Sequence, residues 1–128
     1  MDSTTPVVVD TDVVSFLFKN HSRAPAYQAI LAGRPLAVSL ITLAEIEFGM
    51  GAKNWGAARR DLMRRFVARF SLLLPDAEKA RTWARIKSGC EKKGRPITFA
   101  DAWIAAAALQ LNAPLATHNA SDHKPWRS

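Results

Sequence analysis

The sequence predicts an α/β fold: a central parallel sheet with helices on both faces, making a three-layer α/β/α sandwich. Three observations carry this expectation. Short apolar or β-branched runs alternate with longer segments of helical periodicity along the 128 residues. Turn and stop signals at Gly33, Gly94-Arg95-Pro96 and Asn112-Ala113-Pro114 separate them. Finally, a chain of this length that is 48% hydrophobic buries about two-thirds of the surface its unfolded form exposes, so residues 1–128 are expected to form one domain, with no repeat or linker.

Val7 to Val9 is a β-branched run that ends at Asp10, and the apolar density of Val13, Val14, Phe16, Leu17 and Phe18 then predicts a buried helix. A second helix is expected from about Pro25 to Ala32, a strand over Leu36 to Leu40, and another helix from near Thr42. Between Trp55 and Phe70 the apolar residues Ala58, Leu62, Phe66 and Phe70 recur every four positions. Arg59, Arg60, Arg64, Arg65 and Arg69 cover the other faces, which predicts an amphipathic, strongly basic helix. Ser71 to Leu74 reads as a third strand, and Asp76 to about Lys93 as a helix with Trp83, Ile86 and Cys90 inward. Thr98 opens an alanine-rich helix through Leu111, and Leu115 to Thr117 is a last short strand before a polar tail.

Eighteen Lys and Arg against eleven Asp and Glu leave a net charge of +7. Such a balance favours a polyanion, an acidic protein or an anionic lipid surface, without choosing among them. Cys90 is the only cysteine, which excludes an intramolecular disulfide and implies a reducing compartment, by default the cytosol. Met1 to Pro6 lack the features of a signal peptide, and no apolar run approaches the roughly 20 residues of a membrane span. Neither secretion nor membrane insertion is expected. His21, His118 and His123 have no zinc-type spacing, and no Gly-x-Ser-x-Gly elbow supports a serine hydrolase.

In a parallel α/β sheet, ligands sit at the carboxyl ends of the strands. Asp10, directly after Val-Val-Val, lies there, and fits either a metal or catalytic group or the N-cap of the next helix, a role open to Asp12 as well. Glu45 follows Thr42 by three residues and Asp101 follows Thr98 by three, so both match the capping pattern at a helix start. That position also lets a first-turn acid lean over the sheet edge. Asp122 follows the last strand within a polar loop, which returns the chain toward the edge that Asp10 occupies.

Four segments in this order resemble the PIN-domain ribonucleases of the VapC-like toxin group. They are Val8-Val9-Asp10-Thr11-Asp12-Val13-Val14, then Ser39 to Gly49, then Gly94-Arg95-Pro96-Ile97 leading into Asp101-Ala102-Trp103-Ile104-Ala105-Ala106, and finally Thr117-His118-Asn119 with Asp122. The resemblance implies a PIN-like α/β/α sandwich in which Asp10, Glu45, Asp101 and Asp122 bind Mg²⁺ or Mn²⁺ with Thr117 as a polar helper. It further implies an RNA substrate, a VapB-like antitoxin partner and a homodimer. The chain departs from the family at Asp12, where Asn is usual, and at His123, where an aromatic residue is usual, and its terminal strand is expected to be short or missing.

On this resemblance the chemistry is hydrolysis of a phosphodiester by a metal-activated water. Arg59, Arg60, Arg64, Arg65 and Arg69, together with Lys87, Lys92, Lys93 and Arg95, are candidates to hold the RNA backbone against the repulsion of the acids. Two other readings exist. Val-Val-Val-Asp10-Thr11-Asp12 also resembles the opening of haloacid-dehalogenase-type phosphatases, and a non-catalytic RNA- or partner-binding module would use the same charge.

Overall fold

The structure, a computed structural model, describes residues 5–118. Four strands form one parallel sheet in the order β3-β2-β1-β4, with β1 at Val7–Val9, β2 at Leu36–Ser39, β3 at Ser71–Leu73 and β4 at Leu115–Ala116. Val8 stands opposite Ala37 on one side and Leu115 on the other, which makes β1 a fully paired inner strand. A strand covered on both faces reads as a continuous β-branched run, as Val7-Val8-Val9 does.

The helices are α1 at Thr11–Lys19, α2 at Ala24–Leu31, α3 at Leu40–Ala52, α4 at Ala57–Val67, α5 at Ala77–Lys92 and α6 at Phe99–Gln110. The alternation of side chains along β1 sorts them into layers. Val7 and Val9 face a core that includes Val13, Val14, Leu31, Ile46, Met50, Met63 and Val67 from α1 to α4. Val8 faces Ile104 and Ala108 of α6 on the opposite side. Behind α6, its Ala102, Ala105 and Ala106 pack on Ile86 and Cys90 of α5. Thus α1 to α4 cover one face of the sheet, and α6, with α5 packed on it, covers the other. The three-layer sandwich follows.

Most boundaries fall where the stop and start signals place them. Asp76 caps α5 by accepting from the Lys79 amide at 2.7 Å, and Thr98 caps α6 by accepting from the Asp101 amide at 3.1 Å. Gly94, with φ +70°, takes the left-handed turn after α5 that an L side chain rarely adopts. Strands β3 and β4 each end one residue earlier than expected, at Leu73 and Ala116, and two further details differ. Helix α3 starts at Leu40 rather than near Thr42, because the Ser39 hydroxyl accepts from the Ile41 amide at 3.0 Å and ends β2 one residue early. In α4 the inward residues are Met63 and Val67 with Phe66 partly buried, whereas Leu62 is 57% exposed and Ala58 is exposed. A spacing of four advances about 40° per step around a helix of 3.6 residues per turn, so the four-residue series drifts off the buried face.

Candidate active site

Because all four strands run the same way, Asp10 after β1, Ser39 ending β2 and Thr117 after β4 share the carboxyl edge of the sheet. Helices α1 and α3 begin at that edge. Helix α6 delivers the chain to the start of β4, so its own first turn, with Asp101, lies toward the carboxyl edge too.

Asp10 is 5% exposed. Its Oδ1 accepts from the Val13 amide at 2.9 Å and so caps α1. The other oxygen, Oδ2, accepts from the Thr117 hydroxyl and from the His118 amide, the latter at 3.3 Å. Capping and presentation at the edge are thus both true of this residue, one oxygen for each. Burial raises the Asp10 pKa above the ordinary aspartate value, while the Thr117 and Val13 hydrogen bonds lower it and the nearby Asp12 charge adds to the rise. Among the described residues no Lys or Arg forms a salt bridge with it.

Glu45 is exposed on α3, where its Oε1 accepts from the Thr11 hydroxyl at 2.5 Å. Thr11 in turn stands 3.2 Å from the hydroxyl of Thr42, which is fully buried. The capping role expected of Thr42 and Glu45 is therefore overturned, since Ser39 is the cap. Asp12 does not cap either, because Asp10 does; it lies exposed in the first turn of α1. Asp101 is half-buried in the first turn of α6.

The structure therefore joins Asp10 to Thr117 directly, reaches Glu45 through the adjacent Thr11, and brings Asp101 to the same edge. Among the described residues no three His, Cys, Asp or Glu side chains come close enough to hold a metal ion. Asp122 and His123 lie outside the described residues. The donor set is made of hard oxygens, which suits Mg²⁺ or Mn²⁺ rather than zinc, and a buried carboxylate without a cationic neighbour suits a cation taken from solution.

Several neighbours of the site carry no signal in the sequence. The His118 ring lies 3.0 Å from an Arg23 guanidinium nitrogen, 3.4 Å from the Tyr27 hydroxyl and edge-on to Phe16. These residues come from α1, the α1–α2 turn and α2, about 90 or more positions away in the chain. Only tertiary structure assembles them. Of the arginines expected to hold nucleic acid, Arg64 is engaged by Glu47 through two hydrogen bonds of 2.9 and 2.8 Å, Arg65 by Asp61 at 2.7 Å, and Arg60 by the Trp55 carbonyl at 2.7 Å. Lys87 donates to the Ile97 carbonyl at 2.7 Å. A cavity of about 420 Å³ between Leu17, Arg34, Phe66 and Arg69 adjoins the start of β2, at the end of the sheet away from the carboxylates. It plays no part in this site.

Residues 7–123 match the family model of the PIN domain. The chain is 32% identical over 118 residues to Ribonuclease VapC1 of Haemophilus influenzae strain R2866, covering 90% of this chain and 87% of that protein. A structure of VapBC-1 from nontypeable Haemophilus influenzae superposes with a TM-score of 0.77 at 29% identity, over 93% of this chain and 90% of the other. The structure of VapBC-5 of Mycobacterium tuberculosis, described as a member of the VapBC family of toxin-antitoxin systems, superposes with a TM-score of 0.60 at 25% identity, over 87% and 82%.

Proposed function

The chain belongs to the PIN-domain family, and on that premise we propose that it is a metal-dependent endoribonuclease, the toxin of a toxin–antitoxin pair. One observation carries the assignment to a site: Asp10 is a buried carboxylate at the carboxyl edge, fixed by Thr117 and His118 and lacking a cationic neighbour among the described residues. An unpaired buried charge is costly, and a bound cation removes that cost. On this reading Asp10, Glu45, Asp101 and Asp122 hold Mg²⁺ or Mn²⁺, with Thr117 positioning Asp10.

When bound, the ion supplies a water of lowered pKa and offsets charge on the phosphate. The chain's own residues do the rest. Thr117 and the His118 amide set the direction of Oδ2, Thr11 sets that of Glu45, and the surplus of basic side chains offsets the repulsion between RNA and the acids. Attack by water needs no 2′-hydroxyl, so a 5′-phosphate and a 3′-hydroxyl are the expected ends.

The likeness to Ribonuclease VapC1 and to two VapBC structures supports an RNA substrate and a small VapB-like antitoxin that covers the site. A homodimer and a single domain over residues 1–128 complete the proposal. No helix of the described residues is long and apolar enough to cross a membrane, and the lone buried thiol of Cys90 supports a cytosolic location. With a PIN-domain match over residues 7–123, the phosphatase reading has no separate support.

The test is cleavage of a mixed single-stranded RNA pool by the full chain freed of bound antitoxin. Mg²⁺ or Mn²⁺ should give cleavage that EDTA or Asp10→Asn abolishes. A wild-type protein that is inert with both metals sinks the proposal.

A further inference from the structure

Helices α1 and α3 leave a groove between them that starts at the Thr11–Glu45 hydrogen bond. Thr11, Ser15 and Lys19 line one wall at intervals of four, and Glu45, Gly49 and Lys53 line the other at the same interval, around a cavity of about 190 Å³. Residues four apart share a helix face. At Gly49 nothing lies within 4 Å of where a Cβ would stand, so the middle of the groove is open. One end is acidic and belongs to the candidate active site. The other is basic.

At the basic end two cations converge on one indole, and a third, Lys53, lines the same end of the groove. The Arg59 guanidinium lies 3.8 Å from the Trp55 ring centroid and the Lys19 ammonium 5.9 Å, while Phe18 packs on the same ring at 5.9 Å. The neighbouring Lys53 lowers the Lys19 pKa, with burial and the charge of Arg59 acting in the same direction. Among the described residues none of these three cations forms a salt bridge, in contrast to Arg64, Arg65 and Lys87. Like charges held together beside a groove repel one another unless an anion lies between them.

We propose that Lys19, Lys53 and Arg59, arranged around Trp55, form a phosphate subsite that grips the RNA strand away from the bond being cut. The proposal rests on the ribonuclease reading. Lys19 lies eight residues beyond Thr11, about 12 Å along α1, so the phosphate it meets is a neighbour of the scissile one on the same strand. A phosphate suits the cluster because it takes charge-assisted hydrogen bonds from a guanidinium fork and from lysine point charges at once. Trp55 keeps the Arg59 plane and the Lys19 stem in place rather than offering a free stacking face, since Phe18 and Arg59 already occupy it.

The experiment measures binding of a labelled single-stranded oligouridylate to the full chain in EDTA across a salt series, and cleavage with Mn²⁺ in parallel. Lys19→Gln/Lys53→Gln is expected to weaken binding about tenfold and to reduce the salt slope by about 0.7, the loss of one phosphate contact on a single strand. Its KM should rise while kcat stays near wild type. Arg81→Gln/Arg85→Gln removes the same charge from the exposed side of α5 and should leave the slope unchanged, and Lys19→Arg/Lys53→Arg should restore binding. A thermal melt of each variant reports folding. If the Gln pair matches the α5 pair in affinity and slope while wild type cleaves RNA, the subsite is wrong and the ribonuclease reading stands. If the slope falls as expected but wild type never cleaves with either metal, the subsite stands and the ribonuclease reading fails. Loss of affinity for an acidic peptide with RNA binding intact would replace the RNA subsite by a protein-docking one.

Discussion

The Thr117 hydroxyl donates to Oδ2 of Asp10 while Oδ1 of the same carboxylate caps α1. One acid is therefore tied through one oxygen to the residue after β4 and through the other to the helix that follows it. Thr117→Val removes the first tie and keeps the shape. It is expected to lower RNA cleavage about 10- to 100-fold, as loss of a partner behind a metal ligand does, and Thr117→Ser should retain most activity. Steady-state rates of the two variants decide it; equal rates would remove Thr117 from the machinery.

Asp10→Asn should separate the catalytic use of the carboxylate from its cost to the fold. Burial raises its folded pKa, so between the ordinary value and the folded one the native state holds more protons than the unfolded state. Stability therefore falls as pH rises through that window, and the penalty is complete above it. In EDTA, Asp10→Asn is expected to be more stable than wild type at neutral pH, by a margin that vanishes below the ordinary aspartate pKa. Urea unfolding of both proteins across that range tests this, and a margin independent of pH would contradict it.

Adding a divalent ion should reverse the order. An ion that binds only the folded chain stabilises it by mass action, by about 2.7 kcal/mol at one hundred times its Kd. Millimolar Mn²⁺ should raise the Tm of wild type at neutral pH by several degrees and leave Asp10→Asn unmoved. An unchanged wild-type melt would count against the metal site.

The first turn of α6 holds two residues with different duties. Thr98→Ala deletes the cap and should cost about 1 kcal/mol, read as a lower denaturation midpoint, with the cleavage of the remaining folded protein intact. Asp101→Asn should abolish cleavage with little effect on stability. Similar loss of stability in both would make Asp101 structural only.

Packing of α6 makes a further prediction. Ile104 is 1% exposed and Ala106 is fully buried, so Ile104→Ala should cost about 2–5 kcal/mol through an unfilled cavity. Ala106→Leu should cost about 1–3 kcal/mol by forcing α5 and α6 apart. Denaturant titration measures both.

The layers and most elements were legible because strands such as Val7–Val9 and caps such as Asp76 and Thr98 are specified by residues within a few positions of one another. Asp10 was readable for the same reason. Thr42-x-x-Glu45 misled because a second hydroxyl, Ser39, lies three residues earlier and reaches the backbone first. The inward face of α4 was misread through a period slightly longer than the helix's own. Arg59 was named as a candidate to hold RNA, but neither its grouping with Lys19 and Lys53 nor the His118 surroundings was legible, because each joins elements that only folding brings together.

The bond between Thr117 and Asp10 spans 107 positions, and β4, which brings it about by pairing with β1, is the last strand in chain order among the described residues. A contact of such long range forms late, since loop closure must precede any gain from it. During synthesis the stretch from Asp10 through α5 emerges without this clamp, and the carboxylate gains its second support only once Thr117 has left the ribosome. If the proposed cleavage depends on this clamp, it becomes available only after Thr117 has been made and β4 has paired with β1.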